Sequence, residues 1–227
     1  MALTDELQDI LYQKGAALVG VCNMKGVAGC DHACGVAVAI PIPKHIIRDL
    51  QTAPTKEYYD MYYSMNSQLD GIVIAGEEFL RNKGYNAFAQ TRDRVRVEDG
   101  HVSRLPHKTV AARAGLGWIG KNCLLVTERY GSAVRLSSLL TDAPLECNRP
   151  VGESECGSCE LCVRACPGQA LQGTLWKAGM ERQELISVDK CYEKQLEIMF
   201  RETGIRQDLC GKCFATCAYT KKYLEGK

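Results

Sequence analysis

Cys156-Gly-Ser-Cys159-Glu-Leu-Cys162-Val-Arg-Ala-Cys166-Pro167 decides how this chain is read. The spacing is C-x2-C-x2-C-x3-C-P, by which thiolates hold a cubane iron–sulfur cluster. Three thiolates two residues apart wrap one corner of a cube. The fourth follows a turn later and points away, toward a second cluster. A second set is therefore required, and Cys210-Gly-Lys-Cys213-Phe-Ala-Thr-Cys217 supplies it, one ligand short. Cys191, nineteen residues upstream, completes the count. The expected partition places Cys156, Cys159, Cys162 and Cys217 on one [4Fe–4S] cluster. Cys166, Cys191, Cys210 and Cys213 would hold the other.

A zinc ribbon and a disulfide scaffold are the plainer alternatives. Paired C-x2-C units make four-cysteine zinc sites, but zinc needs neither the third Cys nor the following Pro. Disulfides require an oxidising compartment, whereas the acidic start Met1-Ala-Leu-Thr-Asp-Glu-Leu7 reads as a helix and not as a signal peptide. No apolar run reaches the eighteen or so residues of a membrane span. A cytoplasmic protein without a membrane is expected. Lys and Arg total 28 against 27 Asp and Glu, a net charge of +1, so no global field invites nucleic acid.

At 227 residues with 46% apolar content, the chain can build one core and a smaller appendage. Thr4 or Asp5 can cap a first helix carrying Leu7, Ile10 and Leu11 on one face. Ala16–Val21 and Gly35–Ile40 read as strands, the second stopped by Pro41 and Pro43. From Thr55 to Lys83 the pattern is helical, although Gly71 and Gly76 weaken it. A short strand is expected near Tyr85–Ala89. Arg94–Val97 and His101–Leu105 form a hairpin about Asp99-Gly100. Pro106 opens a helix closed by Gly115, and Cys123–Thr127 and Ser132–Leu136 are strand-like. Residues 143–149 look like a linker, and Asp189–Glu202 a helix within the cysteine module. Alternating strands and helices indicate an α/β core over residues 1–145, with a ferredoxin-like module over 146–227.

Five cysteines remain. Cys22 and Cys123 sit in apolar stretches and read as core, and Cys147 falls in the linker. Cys30-Asp-His-Ala-Cys34 brings two thiols near His32, a weak pattern for a metal or redox site. Gly115-Leu116-Gly117-Trp118-Ile119-Gly120-Lys121-Asn122 is the second notable stretch, because its glycines let a backbone approach something flat or bulky. It follows a helix and not a strand, which disfavours a nicotinamide fingerprint, and it lacks P-loop spacing. The plain reading is a helix cap and a tight turn packing Trp118.

Taken together, Gly115–Asn122, Tyr130-Gly131-Ser132, Leu139-Leu-Thr-Asp142, the Cys-Gly-Ser-Cys and Cys-Pro elements and the final C-x2-C-x3-C resemble epoxyqueuosine reductase, a family related to the reductive dehalogenases. The resemblance is close from about His101 to Tyr219 and looser before that. It implies a cobalamin-binding core and two clusters that pass electrons to cobalt, with the same partition of ligands. It also implies that Gly115–Asn122 and Tyr130–Ser132 line the corrinoid. The family's proton-donating Asp lies fourteen residues before the first loop glycine, where this chain has His101. Histidine suits proton donation near neutral pH. His107 is a second candidate, and Tyr58, Tyr59 and Tyr62 come next. Ala218 stands where the family usually has Pro after the last cysteine, and the family's tRNA-contacting extension would lie beyond Lys227.

The expected activity is low-potential reduction, with electrons from a ferredoxin or flavodoxin reaching a small-molecule or corrinoid substrate. The rivals are an electron-transfer or corrinoid-reactivating protein, and a redox sensor using Cys30 and Cys34.

Overall fold

The computed structural model describes residues 2–95, 97, 98 and 102–226. The chain divides into two compact units, each assembled from three segments. The first comprises Met1–Ile40, Ser64–Gly117 and Arg135–Val151. The second comprises Pro41–Tyr63, Trp118–Val134 and Gly152–Lys227.

The first unit is built on a four-stranded sheet of order β1-β2-β8-β3. β1 (Leu18–Asn23) pairs with β2 (Cys34–Pro41), and β3 (Ala87–Ala89) with β8 (Val134–Thr141). Both registers are antiparallel, so the mixed helix-and-sheet core is of the α+β kind, within the expected α/β (α+β) class. Residues Cys34–Ile40 are buried on both sides of the pleat, which explains their unbroken apolar run: both faces of the sheet are covered. α4 (His107–Arg113) covers one face, where a Cβ on Gly35 would stand 2.9 Å from Val110 and one on Gly20 2.5 Å from the Ala114 carbonyl. α1 (Leu3–Gln13) and the later turns of α3 (Lys56–Asn82) also cover the sheet. Gly76 sits mid-helix because Leu139 and Leu11 occupy the space a side chain would need. The two glycines that weaken α3 in sequence do not break it.

β4 (Val97–Glu98) and β5 (Val102–Ser103) form the expected hairpin, whose tip, Asp99-Gly100-His101, lies outside the described residues. Residues 143–151 are tied down, unlike a linker. The Glu146 amide donates to Thr4 Oγ1, Asn148 exchanges hydrogen bonds with Val21, and the Val151 amide donates to the Ala112 carbonyl.

The second unit holds α2 (Lys44–Asp49), the first turns of α3, a hairpin of β6 (Trp118–Ile119) and β7 (Leu125–Val126), and four helices. These are α5 (Leu161–Ala165), α6 (Val188–Thr203), α7 (Lys212–Ala215) and α8 (Ala218–Glu225). It includes 152–227 together with 41–63 and 118–134. Their anchors are specific. Gly211 lies against Leu50, Tyr58 meets Phe214 edge-on, Tyr63 Oη donates to Gln207 Oε1 at 2.9 Å, and Tyr223 Oη to the Ile42 carbonyl. Among the described residues, no helix is long and apolar enough to cross a membrane.

Candidate cluster-binding site

In the second unit Cys156, Cys159, Cys162 and Cys217 line one cavity that opens to solvent. Among the described residues, no three His, Cys, Asp or Glu converge on a single-ion site. The thiols instead stand around a space. Local turns put them there: the Cys159 amide donates to the Cys156 carbonyl, Gly157 takes a left-handed φ of 52°, and α5 carries Cys162 inward. Cys217 arrives from the other end of the sequence as the N-cap of α8.

Burial pushes the Cys162 thiol up to about 12, helped by Cys217, Cys156 and Cys159 beside it. The other four cysteines feel one another in the same way. Burial raises Cys191 to about 11, with Cys166 and Cys210 adding to it. Cys213, raised well above the ordinary thiol value by burial, senses Cys210, Cys191, Cys162 and Cys166. Cys162 is thus the member of the first set nearest in effect to Cys213, and α5 packs on α7. Hydrogen bonds already reach sulfur: Ala170 N–H to Cys166 at 3.4 Å and Gln195 Nε2 to Cys191 at 3.3 Å. Clustered buried thiols disfavour their own ionisation, and a cationic group among them reverses that balance.

The Gly115–Asn122 stretch serves several tasks. Gly115, at φ 74°, belongs to the first unit, where a Cβ would meet the Arg149 carbonyl at 2.7 Å. Gly117 also has a positive φ, 156°. Gly120, Lys121 and Asn122 belong to the cysteine cavity: a Cβ on Gly120 would meet Val126 at 2.6 Å and Cys156 Sγ at 3.5 Å, and Lys121 and Asn122 line the wall. Lys121 is 5% exposed, with Nζ 3.9 Å from Glu160 Oε1. Trp118 is buried against Tyr219, ring centroids 4.9 Å apart, and its indole N–H finds no acceptor.

The Tyr130–Ser132 turn, read from sequence as a corrinoid wall, is packed on α8. Gly131 abuts Thr220, the Ser132 amide donates to Thr220 Oγ1, Asn122 Nδ2 donates to Ser132 Oγ, and Tyr130 stacks edge-on with Tyr223. Its glycine is accounted for by that contact. Sequence reading assigned Lys121 to the corrinoid wall and not to the cysteine cavity, and missed Cys123 as a neighbour of Cys191. The signal for Cys123 was a non-glycine residue forced to φ 60°, which only coordinates reveal.

His101 lies outside the described residues. His107 is half-buried in the first unit, and desolvation, with Arg135 nearby, lowers it to about 4. It is neutral at pH 7, so it holds no imidazolium proton to give. Cys30 donates to the His32 carbonyl and Cys147 to the Leu145 carbonyl; among the described residues, Cys30, His32 and Cys34 do not form a three-ligand metal site.

No family model matches the chain. An epoxyqueuosine reductase of Bacillus subtilis is 37% identical over 167 residues, 73% of this chain and 39% of that protein. The chain spans well under half the length of such curated relatives. A reductive dehalogenase whose structure suggested a mechanism for B12-dependent dehalogenation superposes with a TM-score of 0.71 at 19% identity, covering 96% of this chain and 33% of that one. An epoxyqueuosine reductase bound to an epoxyqueuosine-modified tyrosine tRNA stem loop gives 0.64 at 21% identity, covering 96% and 65%. The chain is therefore epoxyqueuosine reductase-like in sequence and has the fold that those enzymes share with the reductive dehalogenases.

Proposed function

We propose that the protein is an iron–sulfur- and cobalamin-dependent reductase. The observation that carries this reading is the cavity ringed by Cys156, Cys159, Cys162 and Cys217, whose members come from two distant runs. Cys166, Cys191, Cys210 and Cys213 would hold a second cluster beside it. When bound, two [4Fe–4S] clusters supply a path for single low-potential electrons, and a corrinoid supplies the reducing centre. The chain's own residues set ligation, access and charge around that path. Gly120 leaves room beside Cys156, and Lys121 places a cation in the wall.

Support for the corrinoid comes from the B12-dependent relative in the same fold and from two local features. Trp118 offers a buried N–H without an acceptor, and Gly117 adopts a backbone angle that side-chain-bearing residues rarely take. Leu116, Ile119, Lys121 and Asn122 would complete that wall, with Tyr130–Ser132 supporting it from α8. His101 is proposed as the proton donor, from its offset alone. The electron donor would be a ferredoxin or flavodoxin.

With a net charge of +1, the chain lacks a broad basic footprint, which favours a small-molecule or corrinoid substrate over a nucleic acid. The tRNA-bound relative motivates the second reading, in which a modified stem loop is the substrate. Anaerobic purification with metal analysis tests the proposal. About eight irons per chain and bound cobalt are expected; about four irons, stoichiometric zinc, or no uptake of added cobalamin would sink it. Saturable binding of an epoxyqueuosine-modified stem loop would select the second reading.

A further inference from the structure

Cys191 sits near the start of α6, and Gln195 follows it one helical turn later. Side chains on a helix lean toward its N-terminus, so a residue at i+4 reaches back over residue i. Gln195 does so, and its Nε2 donates to Cys191 Sγ at 3.3 Å. The carbonyl end of that amide can only accept, and it would repel a thiolate; the N–H end is the one that belongs against sulfur.

A second donor comes from another stretch of chain. The Ala170 N–H reaches Cys166 Sγ at 3.4 Å. The turn that aims it is unusual. The Gln169 amide donates to the Cys166 carbonyl at 3.1 Å, and Gln169 takes a left-handed φ of 47° although it is not a glycine. Such a conformation is unfavourable and persists only where the surroundings impose it. Gly168 presses the turn onto α6, where a Cβ would stand 3.0 Å from both the Lys190 carbonyl and the Lys194 side chain. The turn after Cys166 and the turn of α6 that carries Cys191 are thus packed together, each with an N–H on sulfur.

Charge decides what these bonds do. A ligand thiolate carries more negative charge when its cluster is reduced, and an N–H donor stabilises the more negative state. Hydrogen bonds to the sulfurs are therefore one of the means by which a protein raises a cluster's potential. On the strength of the two-cluster proposal, we infer that Gln195 is a potential-setting residue of the cluster held by Cys166, Cys191, Cys210 and Cys213, its amide hydrogen bond making that cluster easier to reduce. The Ala170 amide acts in the same sense but belongs to the backbone. Gln195 is the donor that one substitution can remove. It is half-buried on a helix, so exchanging it for a side chain of like length opens no cavity in the core. The two thiol sets are then tuned by different devices, a cation in the wall at Lys121 for the first and N–H donors on sulfur for the second.

The test is a redox titration of the metal-loaded full chain, reduced stepwise with dithionite under anaerobic conditions and followed by paramagnetic resonance. The second cluster's signal is the one missing from Cys191→Ser. Gln195→Met removes the donor at similar length and helix propensity. Its second-cluster reduction equilibrium should fall about tenfold, which lowers the midpoint by about 59 mV for one electron. Gln195→Glu keeps the shape but supplies a carboxylate that only accepts, so its midpoint should lie lower still. Iron content and the first cluster's midpoint should stay unchanged in both variants. A residue that merely packs α6 would leave the midpoint where it was. A second-cluster midpoint unmoved in Gln195→Met, an equal shift of both clusters, or loss of iron from both variants would each overturn the role of Gln195 alone. An unaltered chain without a second paramagnetic signal would instead break the two-cluster proposal, and the role of Gln195 with it.

Discussion

Buried polar groups meet different fates in the two units. In the first, His107 shares a hydrogen bond with Ser138, whose hydroxyl donates at 2.6 Å to Gln90 Oε1, and Gln90 Nε2 donates to the Leu105 carbonyl. Since the one hydroxyl hydrogen of Ser138 goes to Gln90, Nδ1 of His107 must carry the hydrogen of their bond. Glu77, buried to 2% exposure, is met by Arg94 through two contacts and by Arg81. In the second unit eight thiols face one another, and the Trp118 N–H faces no acceptor. The first unit satisfies these charges and donors with its own atoms, although the buried Asn66 amide nitrogen there finds no acceptor. The second gathers groups whose natural partner is a cation or ligand. A buried group with no protein partner is costly, and such a concentration of them marks the functional end of the molecule.

Breaking ligation in the second unit should have the largest effect. Cys156→Ser and Cys217→Ser should disturb the same cluster, and Cys166→Ser and Cys210→Ser the other, each removing about half the iron. Paramagnetic resonance of the reduced variants distinguishes the two signals. If Cys166→Ser affects the signal lost in Cys156→Ser, the interleaved partition is wrong. Tryptophan fluorescence should follow these changes selectively, because Trp118 and Trp176 both lie in the second unit.

The contrast also explains what could be read from sequence. The cysteine spacing was legible because the proposed cubane ligation imposes short, fixed intervals on one stretch of chain. β2 and α4 were legible from apolar runs and from Pro106, and the hairpin from its turn residues. Sheet direction was not, since it depends on β1 turning back on β2 through residues 24–33 and not on any local pattern. Nor was the share of the second unit drawn from 41–63 and 118–134. Its determinants are single long-range contacts, such as Gly211 against Leu50 and Tyr63 with Gln207, that leave no periodic trace.

The next effect belongs to the first unit and sharpens the claim that it satisfies its own charges. His107 titrates at about 4 when folded, against an ordinary value of 6.5. Below pH 6.5 the unfolded chain takes up a proton that the folded state refuses. The stabilisation is therefore complete above pH 6.5 and is lost as pH falls toward 4. The whole effect is about 3 kcal/mol, from a gap of two to three pH units at about 1.4 kcal/mol each. Amide exchange in β2 and β8, measured between pH 7 and 4, should show that loss, and His107→Gln should flatten the dependence. An equal slope in His107→Gln would assign the acid sensitivity elsewhere.

The smallest predicted effect tests whether protein charge tunes the second unit's electrons. Lys121 places its ammonium in the wall of the first thiol cavity, with Glu160 at 3.9 Å as its ion-pair partner, and Glu160 is half-exposed. A reduced cluster carries one more negative charge than an oxidised one, so a nearby cation favours reduction. At an effective dielectric near 20 a unit charge pair 4 Å apart attracts by about 4 kcal/mol, the attraction is weaker across a cavity wall, and Glu160 offsets part of it. A net tenfold change in the reduction equilibrium corresponds to about 59 mV for one electron. Lys121→Met should therefore lower the midpoint of the cluster held by Cys156, Cys159, Cys162 and Cys217 by some tens of millivolts. Lys121→Arg should leave it near the original value, and iron content should stay unchanged in both. The measurement is a redox titration followed by paramagnetic resonance, in which the two clusters are scored separately. A midpoint unmoved in Lys121→Met, or a shift confined to the other cluster, would mean that Lys121 is there only to pack the wall.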